Sequence, residues 1–126
     1  MLFRLVQAPR ISKKNGSISK SYICSADNSS PSEIYINTVT SPEPSYWRCH
    51  KKAHISLQVI SGSASFFISR HPSSSSVSTI NLDHLSHWRI LIYPNSWFSF
   101  ISTSNTDLML LCISDILHDP SEVISL

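Results

Sequence analysis

Two histidines stand at the start of a segment that alternates between polar and apolar residues. From Ala53 to Val59 the odd positions are apolar, and the even positions from His50 to Gln58 are polar. In one strand over this segment, His50 and His54 project from the same face, because alternate side chains point to opposite sides. Imidazole exchanges protons near neutral pH. A half-polar strand is typical of a barrel wall that lines a cavity, so the segment predicts a ligand site with a proton-transfer group.

A metal site at these histidines is not expected. In an extended strand His50 and His54 lie roughly 13 Å apart, which is too far to share one ion. No glutamate follows at a spacing that completes a ligand set. We therefore expect no metal and no other cofactor, and a partly buried structural role is the more common one for a histidine such as His54.

Length and composition indicate one domain over residues 1–126 and exclude several classes of partner. A net charge of +2 gives no electrostatic reason to bind nucleic acid or an anionic membrane. No apolar run approaches the roughly 20 residues needed to span a bilayer. The three cysteines, Cys24, Cys49 and Cys112, are widely spaced without a CxxC motif, which favours a reducing cytoplasm over a disulfide framework.

Short apolar runs between turn residues predict an all-β sandwich or barrel. The predicted strands are Leu2–Gln7, Ile18–Cys24, Glu33–Thr40, Cys49–Ile60, Ala64–Ser69, Ser78–Leu82, Arg89–Ile92, Trp97–Ser102 and Leu108–Ser114. Gly16 predicts a tight turn, Gly62 in Ser-Gly-Ser predicts a hairpin, and the run Ser73–Ser76 predicts a hairpin tip. Near the C-terminus, Asp119 caps a short helix that starts at Pro120.

Five motifs occur in a fixed order along nearly the whole chain. They are Asn15-Gly16-Ser17, Ile34-Tyr35-Ile36 before Val39, His50-Lys51-Lys52-Ala53-His54 before Ser61-Gly62-Ser63, Tyr93-Pro94-x-x-Trp97, and the closing strand Leu108–Ser114 with the segment 119–124. Together they resemble the sugar 3,4-ketoisomerases that act on dTDP-linked 4-keto-6-deoxyhexoses, which are RmlC-like cupins. The resemblance implies a double-stranded β-helix (jelly roll) with a short C-terminal helix, and a homodimer.

The resemblance also implies a chemistry, the movement of a ketone between C4 and C3 of the sugar. A base removes a proton from C3, a proton is delivered to C4, and a donor stabilises the enediolate. His50 is the candidate base, Arg48 the candidate donor, and Tyr35 would orient a hydroxyl or relay a proton. The candidate residues for binding a nucleotide sugar or other carbohydrate are Lys52, His54, Trp97, Tyr93 and Asn15.

Four positions depart from the family pattern. The family has a His-x-His pair, and here Arg48 replaces its first histidine, leaving His50. Two family arginines correspond to Ser45 and Asn15, and Phe98 stands where the family has a histidine. Two alternatives to an isomerase therefore stay open. One is a non-catalytic or repurposed cupin that binds a sugar or nucleotide sugar, and the other is a structural or protein-interaction jelly roll.

Overall fold

The computed structural model describes residues 1–22 and 30–126. Within these residues the chain forms twelve strands and one 3-10 helix. The elements are β1 (Phe3–Gln7), β2 (Arg10–Lys13), β3 (Gly16–Ser19), β4 (Glu33–Val39), β5 (Arg48–His50), β6 (Ile55–Ser61), β7 (Ser63–Ser69), β8 (Ser78–Asp83), β9 (Trp88–Ile92), β10 (Trp97–Ser102), β11 (Leu108–Ser114), the 3-10 helix (Pro120–Glu122) and β12 (Val123–Ser125). The described part of the chain contains no helix long and apolar enough to cross a membrane.

Two five-stranded antiparallel sheets build the fold. The strand order is β1-β9-β6-β11-β4 in the first sheet and β12-β5-β10-β7-β8 in the second, while β2 and β3 pair with each other. Side chains from both sheets fill the space between them, and Phe66, Ile68, Ile90 and Leu110 have no exposed surface. The sheets therefore hold one apolar core between them, and the predicted all-β architecture is confirmed.

The single strand predicted over Cys49–Ile60 is wrong. β5 ends at His50 in the second sheet, and β6 begins at Ile55 in the first sheet. Residues 51–54 carry the chain across between the sheets. The two histidines therefore do not share the face of one strand, although the polar and apolar alternation continues through the break.

Two carboxylates make this break possible. The backbone N–H of Ala53 donates to Glu122 at 3.2 Å, and that of His54 donates to Asp115 at 2.8 Å. A backbone N–H that leaves a sheet needs another acceptor, and these side chains provide it. Both carboxylates lie more than 60 positions along the chain from the residues they hold. A local sequence pattern therefore cannot predict the break between β5 and β6.

The prediction that the polar face of this strand lines a cavity is also wrong. Leu57 and Val59 point into the core between the sheets, whereas Ser56 and Gln58 are buried on the opposite face of β6. The Ser56 hydroxyl accepts a hydrogen bond from the Arg89 guanidinium at 2.8 Å. β6 is a central strand covered on both faces, so its polar side chains do not face an open cavity, and Gln58 Oε1 is buried without a hydrogen-bond partner among the described residues.

The turns show which local features the residue types predict correctly and which they do not. The tight turn at Gly16 is confirmed, since it joins the paired strands β2 and β3, and the Ser73–Ser76 run lies between the paired strands β7 and β8. The hairpin predicted at Gly62 is wrong, because β6 and β7 belong to different sheets. Gly62 has a φ of +80°, which suits glycine, and the turn passes the chain from one sheet to the other.

The C-terminal helix is confirmed as a single 3-10 turn, and a strand follows it that the sequence did not predict. Asp119 caps the turn by accepting from the Ser121 N–H at 3.0 Å. The next residues form β12, in which Val123 pairs with His50 and Ile124 with Cys49. This register brings the end of the 3-10 helix to the side of β5 that carries the histidine.

Candidate active site

A cleft of about 540 Å³ opens between β4 of the first sheet and β5 and β12 of the second. Its described lining residues are Glu33, Tyr35, Arg48, His50, His118, Pro120, Val123 and Ser125. β4 and β12 are edge strands of their sheets. The polar side chains therefore collect where the sandwich is open, and the packed core lies behind them.

A small inner pocket of about 30 Å³ adjoins the cleft. Tyr35 and His50 line both the cleft and the inner pocket, whereas Arg48 lines the cleft but not the inner pocket. Apolar side chains such as Ile55 also line the inner pocket. The phenol and the imidazole therefore stand where the two spaces meet, and the guanidinium lies in the larger one.

His50 is held by a buried glutamate. Its Nδ1 lies 3.0 and 3.1 Å from the two carboxylate oxygens of Glu122, a side chain that is only 4% exposed. The ring stacks on Phe98, with 6.0 Å between the centroids and 13° between the planes. A carboxylate accepts and does not donate, so Nδ1 carries the hydrogen, and in the neutral ring Nε2 is the basic nitrogen. The imidazole is thereby fixed in both tautomer and orientation.

Tyr35 stands across the cleft from His50 as a neutral phenol. Its neighbour in the β4–β11 register is Cys112. Burial and the nearby Cys112 thiol raise the pKa of Tyr35 to about 12, while the charge of Arg48 acts in the opposite direction. Burial likewise raises the pKa of the Cys112 thiol to about 11. At neutral pH the phenol keeps its proton and can donate a hydrogen bond.

Three residues of the site were missed by sequence reasoning, namely Glu33, His118 and Glu122. The Glu33 carboxylate accepts from the backbone N–H of His118 at 2.9 Å and ties β4 to the segment before the 3-10 helix. Glu122 comes within reach of His50 only through the pairing of β12 with β5. No motif spacing connects residues 72 positions apart, so only the fold reveals these partners.

The structure brings the three candidate catalytic residues His50, Tyr35 and Arg48 into one cleft. The candidate ligand-binding residues do not appear among its described lining residues. They are Lys52, His54, Trp97, Tyr93 and Asn15.

Each of these five residues has a different surrounding. His54 pairs through Nδ1 with Asp115 at 2.8 Å, and Tyr93 meets its ring edge-on at 5.4 Å. Trp97 is 8% exposed. Lys52 is exposed in the connection after β5, and Asn15 is exposed in the turn between β2 and β3.

Within residues 1–22 and 30–126, no three His, Cys, Asp or Glu side chains are grouped so that they can hold a metal ion.

The chain resembles solved structures in fold, although no protein-family model and no curated protein matches it. QdtA, a sugar 3,4-ketoisomerase from Thermoanaerobacterium thermosaccharolyticum solved with TDP, superposes with a TM-score of 0.83 at 19% identity, over 97% of this chain and 86% of that chain. A dTDP sugar isomerase from Desulfovibrio desulfuricans G20 gives a TM-score of 0.84 at 21% identity, over 98% and 83%. The fold is that of the RmlC-like cupins.

A third neighbour extends the comparison beyond ketoisomerases. The dTDP-4-dehydrorhamnose 3,5-epimerase from Bacillus anthracis str. Ames, solved with TDP and PPi bound, gives a TM-score of 0.84 at 12% identity, over 98% of this chain and 78% of that chain. The predicted RmlC-like cupin fold is confirmed by these matches.

The raised pKa of Tyr35 predicts a dependence of stability on pH. Free tyrosine loses its proton near pH 10, and Tyr35 in the folded protein does so near pH 12. Between these values the unfolded state binds fewer protons, so this group makes stability fall as pH rises. Urea unfolding at pH 9 and pH 11 measures how much the free energy of unfolding falls over this range, and the fall should be smaller for Tyr35→Phe than for the wild type. Equal falls in both proteins would contradict the raised pKa of Tyr35.

Proposed function

We propose that the chain is a 3,4-ketoisomerase of a dTDP-linked 4-keto-6-deoxyhexose. The observation that carries the proposal is the imidazole of His50, fixed by Glu122 and open to a cleft of about 540 Å³. Known neighbours support the substrate class. QdtA was solved with TDP, and a histidine-to-asparagine variant of it was solved with TDP-4-keto-6-deoxyglucose.

In the proposed reaction His50 takes the proton from C3 of the sugar. The electron pair of that C–H bond forms the C3–C4 double bond, and the C4 carbonyl oxygen becomes the enediolate oxygen. The C3–C4 double bond then takes the proton back at C4, while the proton of the C3 hydroxyl passes to the C4 oxygen, which leaves a ketone at C3 and a hydroxyl at C4. One base positioned near both carbons can carry out both carbon proton transfers, since it is protonated in the first step and gives the proton up in the second.

Tyr35 supplies the donor for the enediolate oxygen. It shares the inner pocket with His50 and keeps its proton at neutral pH, because its pKa is raised to about 12. A fixed donor aimed at a developing oxyanion lowers the barrier without reorganisation during the reaction. The sequence assigned this role to Arg48, but Arg48 does not line the inner pocket. Its charge suits the anionic diphosphate of a ligand in the cleft.

A binding protein without catalysis is the second candidate. Phe98 stacks on His50 where the resembled family has another histidine, and Arg48 replaces a further one. A cupin that lacks the paired histidine of that family can hold a nucleotide sugar and leave it unchanged. The two candidates differ in one observable, which is exchange of the sugar proton at C3.

The proposal includes a homodimer. β4 is an edge strand of the first sheet and leaves Ile34 and Ile36 60% and 54% exposed. The separate β2–β3 hairpin exposes the cross-strand partners Ile11 and Ile18. A second copy would cover such apolar edges. Sedimentation equilibrium should give twice the mass of the 14.1 kDa chain, and the mass of a single chain at all concentrations would contradict the dimer.

Replacement of His50 by asparagine tests the base. His50→Asn should lower the rate of C3 proton exchange in deuterated water by at least about 100-fold, because the transferring group is removed. The affinity for the nucleotide sugar should stay within about tenfold, because asparagine still fills the site. Proton NMR of the 4-keto sugar measures the exchange, and calorimetry measures the affinity.

The matched control is His87→Asn, which removes an exposed histidine outside the cleft lining and should leave exchange unchanged. Undiminished exchange in His50→Asn would eliminate His50 as the base. Binding by the wild-type protein without any exchange would favour the non-catalytic candidate.

Glu122 should act as a positioning residue for the imidazole. Glu122→Gln retains an oxygen for the Ala53 N–H, but its amide can donate to Nδ1 and favour the tautomer with hydrogen on Nε2. We expect kcat to fall about 100-fold or more with little change in KM, as for other catalytic histidines held in the wrong tautomer. A parallel loss of thermal stability and of substrate affinity, with kcat retained, would indicate a structural role only.

A further inference from the structure

Two imidazoles line the candidate active site, and the proposed reaction uses only His50. His118 also lines both the cleft and the inner pocket, as His50 and Tyr35 do. It lies in the segment 115–119, which leaves β11 in the first sheet and leads to the 3-10 helix and to β12 in the second sheet. The second imidazole therefore reaches the inner pocket from a connection between the sheets, whereas His50 reaches it from β5.

The backbone around His118 is held on both sides of the residue. Its own N–H donates to the Glu33 carboxylate on β4 at 2.9 Å. Directly after it, the Asp119 carboxylate accepts from the Ser121 hydroxyl at 2.8 Å and from the Ser121 N–H at 3.0 Å, and the Asp119 carbonyl accepts from the Glu122 N–H at 3.0 Å. Since the His118 side chain is exposed, its ring can meet a ligand in the cleft while its backbone stays in place.

The two histidines differ in the ring nitrogens that a substrate can use. Nδ1 of His50 is held by the Glu122 carboxylate, so only Nε2 is available. Within residues 1–22 and 30–126, neither ring nitrogen of His118 has a hydrogen-bond partner. The carboxylate of the adjacent Asp119 bonds to Ser121 and not to the imidazole. His118 can therefore accept a proton at one nitrogen and donate a hydrogen from the other.

The proposed reaction moves one proton between carbons and another between oxygens. The proton that leaves C3 rests on Nε2 of His50 until C4 takes it up, so this nitrogen is occupied while the enediolate exists. The proton of the C3 hydroxyl must pass to the C4 oxygen during the same interval. Tyr35 can donate a hydrogen bond to that oxygen, but its pKa of about 12 keeps the proton on the phenol. A further group with an accepting and a donating atom is therefore needed for the oxygen transfer.

Resting on the proposed function, we propose that His118 is the catalytic residue that transfers the proton from the C3 hydroxyl to the C4 oxygen. One ring nitrogen accepts the hydroxyl proton, and the other nitrogen donates its hydrogen to the C4 oxygen. The negative charge of the enediolate thereby moves from the C4 oxygen to the C3 oxygen, and the imidazole stays neutral but changes tautomer. Because His118 is exposed, exchange with water restores the first tautomer before the next turnover.

Separate measurement of exchange and turnover tests this role, because the two imidazoles serve different steps. Deuterium incorporation at C3 of the 4-keto sugar reports the first step, and formation of the 3-keto sugar reports the whole reaction. His118→Phe keeps a flat ring and the backbone bond to Glu33 but has no ring nitrogen. At saturating substrate we expect turnover to fall about 100-fold, while incorporation at C3 stays within about threefold of the wild type.

Two other variants are the controls for this measurement. His50→Asn should lose both incorporation and turnover, because it lacks the base. His87→Phe changes an exposed histidine outside the cleft lining and should keep both. Equal losses of incorporation and turnover in His118→Phe would overturn the transfer role, and so would a raised KM with an unchanged kcat.

Rescue of His118→Ala by added bases tests the need for two nitrogens. Imidazole can accept and donate at once, whereas 1-methylimidazole has one nitrogen blocked. Imidazole should raise the turnover of His118→Ala in proportion to its concentration, and 1-methylimidazole should not. Equal rescue by the two compounds would overturn transfer through two nitrogens.

Incorporation at C3 in the wild type separates this inference from the proposed function. Its absence in a wild-type protein that binds the nucleotide sugar would overturn the isomerase and the transfer role together. Wild-type incorporation combined with unchanged turnover in His118→Phe would overturn the transfer role alone.

Discussion

The buried carboxylate of Glu122 is the interaction on which the site depends. A carboxylate that is 4% exposed is costly unless its oxygens are hydrogen-bonded. Here the Ala53 N–H and the His50 Nδ1–H satisfy it. These bonds let the chain leave β5 and cross to β6, and they hold the imidazole. Removal of the carboxylate would therefore affect both the local backbone and the proton-transfer group.

A similar arrangement of carboxylate, backbone N–H and imidazole occurs at the other end of the connection between β5 and β6. Asp115 accepts from the His54 backbone N–H and from its imidazole Nδ1, each at 2.8 Å. The two histidine–carboxylate pairs have almost the same chemistry. His50 differs because it opens to the cleft beside Tyr35. Access to a space of suitable size, and not the pair itself, decides which histidine is a candidate for catalysis.

Local residue types predicted much of the framework. Gly16 marked a true hairpin, and most strands fall within a few residues of their predicted bounds, because alternation and turn residues act over short distances. Motif order along the chain predicted the cupin fold. The break after His50 could not be predicted, since the alternation runs through it and the carboxylates that replace the ladder bonds come from Asp115 and Glu122. The polar face of β6 was misplaced because alternation does not say which face meets the core.

The site was predicted only in part, because short motifs show some of its residues and long-range contacts bring in the others. His50, Arg48 and Tyr35 lie on short motifs that a sequence can show. The Glu122 partner and the position of His118 arise only from strand pairing and loop anchoring between distant segments. The motif shows that a histidine is present, but only the long-range contact with Glu122 fixes the tautomer of its ring.

The most direct measurement is the nitrogen NMR spectrum of the His50 ring, recorded at neutral pH before and after addition of thymidine diphosphate. The carboxylate of Glu122 requires hydrogen on Nδ1, and the proposed role of His50 as base requires a bare Nε2. We expect that tautomer, together with a change in the Nε2 signal when the nucleotide binds. Hydrogen on Nε2 with a bare Nδ1, or a ring signal indifferent to the nucleotide, would contradict it.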